Sequence, residues 1–132
     1  MIFLLPLFAV MAPFILFPIE TLLPYPALIE EAVKGILVYF ALKLPRNIQR
    51  NAILVSAVFF ALSESVLYLF NILLVGNLFT FLLRLILTTS LHVLTFMILF
   101  AFARKNKKWI VAGWLIASLL HFLFNKTIAF LL

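Results

Sequence analysis

A chain of 132 residues that is 67% hydrophobic, with a mean hydropathy of +1.31, cannot be an ordinary soluble domain. Four acidic residues, all glutamate, stand against ten Lys and Arg for a net charge of +6, and there is no cysteine. Disulfide frameworks and thiolate chemistry are thereby excluded, and the fold class is an all-α integral membrane protein.

A membrane span needs about 20 mainly apolar residues. On that measure residues 1–132 read as one domain, a compact bundle of about five transmembrane helices over roughly 2–19, 27–43, 52–75, 78–103 and 109–131. The first segment has neither a basic leader nor a small-x-small cleavage site, so it reads as a retained helix rather than a signal peptide. Pro6, Pro13 and Pro18 are expected to bend or break it. Glu20 reads as an exposed loop residue. Thr21 to Pro26 is too apolar for a normal exposed loop and is expected to dip into the bilayer, with Pro26 in the first turn of the next helix.

The later segments each carry one polar group. The second holds Glu30-Glu31-Ala32-Val33-Lys34, in which one lysine is within helical reach of both carboxylates. On the third, Phe60, Glu64, Tyr68 and Asn71 form a stripe; on the fourth, Arg84, Thr88 and His92; on the fifth, Ser118, His121 and Asn125. Ser118, Thr88 and Asn71 read as interhelical hydrogen-bonding glue. Lys34 and Arg84 read as charges that neutralise carboxylates or snorkel toward water.

Lys43, Arg46 and Arg50 fill the second connection, and Arg104, Lys105, Lys107 and Lys108 fill the fourth. The positive-inside rule makes both cytoplasmic, which puts the N-terminus inside and Val75 to Asn77 and the C-terminus outside, in a multi-pass plasma-membrane protein. Clusters this short suit topology and anionic lipid, not nucleic acid. Counted from these basic ends, Glu30, Glu64, His92 and His121 lie 11 to 13 residues along their segments, about 16–20 Å deep. Four helices thus deliver polar groups to one layer within the bilayer. That layer is nearer the outer face of a core about 30 Å thick, so water is expected to enter from outside. Charge at such depth costs about 2.5–3.5 kcal/mol per residue, so these groups must face one another or a wet cavity, and read as a site.

Glu-Glu-x-x-Lys, Phe-x-x-x-Glu followed by Tyr68, Arg84 leading to His92, and His-x-x-x-Asn, in that order over about residues 30–125, resemble the PrsW family of intramembrane proteases. More distantly the layout is similar to the CAAX-processing membrane proteases, whose second motif ends in His where this chain has Glu64. The resemblance implies a prokaryotic membrane peptidase acting on a membrane-anchored protein, for example an anti-sigma factor cut near the outer face. It also suggests the roles: Glu30 as base with Glu31 as the alternative, Glu64 and His92 orienting the water, and His121 with Asn125 stabilising the oxyanion. Lys34, Arg84 and Tyr68 would support them.

Amide hydrolysis needs a base, an oxyanion donor and an acid, and these residue types can fill all three roles. The Glu30/Glu31 pair can hold one proton between them. No cofactor is required by that scheme. Glu30, Glu64, His92 and His121 equally make an N/O set for zinc, so glutamate-only and zinc-dependent hydrolysis both stand at this point. Two other classes are a non-catalytic membrane scaffold or binding subunit, as in the APH relative of the same superfamily, and a proton-coupled transporter. The latter lacks the paired half-repeats expected of transporters.

Overall fold

In the computed structural model, residues 4–75 and 78–131 are described, with side chains outside 70–75 and 129–131. Residues 76 and 77 of the Val75 to Asn77 connection, and the Asn71 side chain, therefore lie outside the described residues. The helices are α1 (Leu4–Glu20), α2 (Pro26–Ala41), α3 (Arg46–Val75), α4 (Leu78–Lys105) and α5 (Ile110–Leu131), with a 3₁₀ turn at Lys107–Trp109 before α5. The chain is an all-α membrane bundle. Stretches Arg46–Leu69, Leu78–Lys105 and Lys107–Ile128 are long and apolar enough to cross a bilayer, and α1 is a shorter apolar helix.

The expected break in α1 does not occur. The helix runs through Pro13 and Pro18 to Glu20, each proline removing one backbone donor without ending it. The Thr21 hydroxyl donates to the carbonyl of Pro18 at 2.8 Å at its end. Residues 21–25 are a run of tight turns in which Leu22 is 84% exposed. Pro26 opens α2 in its first turn, where no amide donor is needed.

Packing does not follow chain order. α1 lies chiefly against α3, α3 against α4 and α4 against α5, while α2 packs among α1, α4 and α5. At 16 residues α2 is about 24 Å long, shorter than the hydrocarbon core, and it buries Glu30, Glu31 and Lys34 with Leu37 and Val38. Across the α2–α5 seam, the Trp114 indole donates to the carbonyl of Leu28 at 2.9 Å. Serine glue is largely absent. Ser56, Ser63, Ser65 and Ser90 each donate to the carbonyl four residues back in their own helix.

The α4–α5 crossing depends on a glycine. A Cβ on Gly113 would stand 3.1 Å from Phe102 Cβ and 3.4 Å from Leu99 Cα, whereas one on Gly35 would meet nothing nearer than 4.0 Å. Small residues at membrane helix crossings allow this approach. Gly113→Leu is expected to destabilise by about 1–3 kcal/mol through overpacking, with Gly35→Ala near neutral. Unfolding of both variants in mixed micelles checks the contrast.

Candidate active site

α2 supplies the most deeply buried charges. Lys34 and Glu31 have no exposed surface, and the ammonium donates to Glu31 Oε1 and, at 3.3 Å, to Thr95 Oγ1 of α4. It also lies 5.1 Å from the Phe60 ring centre and 5.9 Å from that of Phe96, so its remaining faces meet aromatic π density. Glu31 Oε1 faces His121 Nδ1 as well, at 2.8 Å. Opposite an ammonium the carboxylate is the acceptor, so the ring nitrogen facing it is the N–H. His121 Nε2 then points toward Glu30 Oε2, 3.7 Å away and beyond direct hydrogen bonding.

A second pair joins the neighbouring helices: His92 Nε2 of α4 hydrogen-bonds Glu64 Oε2 of α3. The two imidazoles stand edge to face with centres 5.5 Å apart, and Phe60 packs on His92 at 5.1 Å. The structure thus brings Glu30, Glu31, Lys34, Glu64, His92 and His121 together from four helices.

Several buried polar atoms here have no partner: Glu30 Oε2, Glu31 Oε2, His92 Nδ1 and Glu20 Oε1. Each such atom costs free energy unless water or an ion meets it. Two of these residues, Glu20 and Glu30, border a cavity of about 10 Å³ that Phe60, Glu64 and Tyr68 also line, the room of about one water. The donor set also suits a metal. Glu30, Glu64 and His92 each offer a ligand atom within 4.8 Å of the others, and two carboxylates with one imidazole are donors that zinc accepts while leaving a position open. His121 stands outside this trio, held by Glu31.

The remaining residues are placed differently. Arg84 lies over the Tyr68 ring at 4.4 Å, and both border a second small cavity with Ser65 and Thr88. Tyr68 touches both cavities and so links Arg84 to the carboxylates. Asn125 is exposed, one turn beyond His121. Ser118 is buried with its hydroxyl unpartnered, so it does not act as interhelical glue.

Glu20, which the sequence places in an exposed loop, is a cavity residue. It is half-buried at the end of α1 and borders the one-water cavity. The available signal was its setting: the sole Asp, Glu, Lys, Arg or His of the first 29 residues, followed by an apolar stretch.

A membrane helix bundle that gathers carboxylates and imidazoles from four helices carries the residue types that an intramembrane hydrolase needs. The family model described as PrsW family intramembrane metalloprotease matches residues 21–132, and the chain belongs to that family of intramembrane peptidases. α1 precedes the matched region. No curated protein and no solved structure matches the chain.

The Lys34–Glu31 pair generates a test. Lys34→Met strands a buried carboxylate and is expected to cost about 3–5 kcal/mol. Adding Glu31→Gln should recover much of that loss. A double-mutant cycle of unfolding in detergent measures it, and equal losses in the single and double variants would contradict the pairing.

Proposed function

We propose that the protein hydrolyses a peptide bond of a membrane-anchored protein, using a water held between Glu20, Glu30, Glu64 and Tyr68. The observation that carries this reading is the one-water cavity bounded by carboxylates from three helices beside an imidazole–carboxylate pair. Glu30 is the base: its Oε2 is unpartnered, whereas Glu31 is engaged by Lys34 and His121. As the water oxygen attacks the carbonyl carbon, Glu30 takes its proton, and it returns that proton to the leaving amine when the C–N bond breaks.

Glu64, oriented by His92, accepts the water's other hydrogen bond and aims it, with Glu20 lining the same cavity. His121, anchored through Nδ1 to Glu31, donates from a protonated Nε2 to the oxyanion. Asn125, exposed one turn further on, suits a contact to the substrate backbone. Tyr68 lines the cavity with Arg84 behind its ring, and Lys34 holds Glu31 in place.

Glu30, Glu64 and His92 would also hold a divalent ion such as zinc, which when bound supplies a Lewis acid and a more acidic water. The ligand geometry and the family description favour this form over glutamate alone. In either form the substrate is a single-pass or otherwise membrane-anchored protein, an anti-sigma factor being one example. The chain would be a multi-pass plasma-membrane protein of a prokaryote with its basic loops and N-terminus in the cytoplasm and the C-terminus outside, in keeping with the charge asymmetry. The site would then open toward the outer face.

Glu30→Gln is expected to lower cleavage of a single-pass membrane protein at least about a hundredfold while the protein stays folded. Fragment formation by the purified protein checks this, and full activity in the variant removes Glu30 from the role. No fragments from wild type on any membrane substrate would favour the scaffold alternative. Metal analysis before and after chelation separates the two forms: stoichiometric zinc with activity lost on its removal establishes the metal-dependent one. Glu20→Gln should reduce cleavage and metal retention about 10–100-fold, the effect expected of a group that supports ligands from outside. Glu20→Asp should restore part of both.

A further inference from the structure

Most of the basic residues of this chain lie apart from its acids. Seven of its ten Lys and Arg sit in the connections around Lys43–Arg50 and Arg104–Lys108, where the sequence has no Asp or Glu. Among the described residues none of these seven forms an ion pair; the buried pairs all belong to the active site.

The two connections, some 55 residues apart, meet in space. Arg46, Gln49, Arg104, Lys105 and Lys107 line one open cavity of about 440 Å³. Its floor is built: Gln49 is 5% exposed, and its amide donates to the carbonyls of Leu42 at 3.1 Å and Leu44 at 2.8 Å, fixing the α2–α3 turn. Tyr39 joins the two connections, with Lys43 5.3 Å and Lys107 5.4 Å from its ring centre.

Depth identifies the ligand. Arg46, Lys105 and Lys107 are terminal residues of the three stretches able to cross a bilayer. Tyr39 and Trp109, 40% and 56% exposed beside them, are the amphipathic rings that settle at the headgroup boundary. A cationic cavity at that level, with no carboxylate to neutralise it, faces lipid phosphates. We propose that it binds the phosphate headgroup of an anionic phospholipid, one per chain, bridging the α2–α3 and α4–α5 connections. Arg supplies paired donors to the phosphate oxygens and Lys supplies point charge. This site is independent of the hydrolytic reading.

The test is native mass spectrometry of the detergent-purified full chain with dioleoyl phosphatidylglycerol, with dioleoyl phosphatidylcholine, and with inorganic phosphate as competitor. Wild type should retain a single phosphatidylglycerol and no phosphatidylcholine, and phosphate should not displace the lipid. The triple variant Arg46→Gln, Arg104→Gln, Lys107→Gln should bind about a hundredfold more weakly, at about a factor of five per lost charge. The control triple Lys43→Gln, Arg50→Gln, Lys108→Gln removes equal charge outside the cavity lining and should weaken binding only a few-fold. Equal loss in both triples would reduce the effect to overall surface charge and overturn the site. Retention of phosphatidylcholine, or displacement by phosphate, would overturn the lipid assignment.

Discussion

Every polar contact in the interior answers to the expense of a charge surrounded by hydrocarbon. Lys34 is the anchor: a fully buried ammonium that must be met from several sides at once, and is, by Glu31, Thr95, Phe60 and Phe96. Meeting it draws α2, α3 and α4 together, and Glu31 then draws in α5 through His121. The fold and the reactive groups are therefore one network. A bundle assembled without these contacts would leave its charges uncompensated in a medium where each is worth several kcal/mol.

The same network leaves a local imbalance. Four carboxylates converge on the region, and among the described residues Lys34 is the cation paired directly with one of them. Glu31 is neutralised by it; Glu64 leans on His92; Glu30 and Glu20 each keep an unpartnered oxygen and line a space large enough for a water. A purely structural network would be expected to satisfy its members. Unmet acceptors around a small cavity are instead what an attacking water, or a cation that activates one, requires. Membership of the intramembrane metalloprotease family gives that arrangement its chemical setting.

α1 changes the boundaries of the site. It lies ahead of the region matched by the family, yet it packs along α3 and ends at Glu20 on the cavity wall. A helix that could be taken for a simple anchor thus contributes an acidic side chain to the centre. At the other end of the bundle most of the bases gather without acids. The molecule is polarised along the direction in which its longest helices run, with acid–base groups deep in the bundle and the phosphate-seeking groups at the interface.

Composition and spacing determined a great deal by themselves. The membrane class follows from hydropathy, because apolar surface of this extent has no other stable environment. The shared depth of Glu30, Glu64, His92 and His121 follows from helical rise, because 11 to 13 residues from each basic end is the same distance whatever the packing. Only the tertiary structure decided partnership, since distances across helices depend on which helices are neighbours, and α1 lies chiefly on α3 while α2 sits among α1, α4 and α5. That packing gave Lys34 to Glu31 rather than to both glutamates, paired His121 with Glu31 and His92 with Glu64, left Asn125 exposed, and brought Glu20 from an apparent loop into the site.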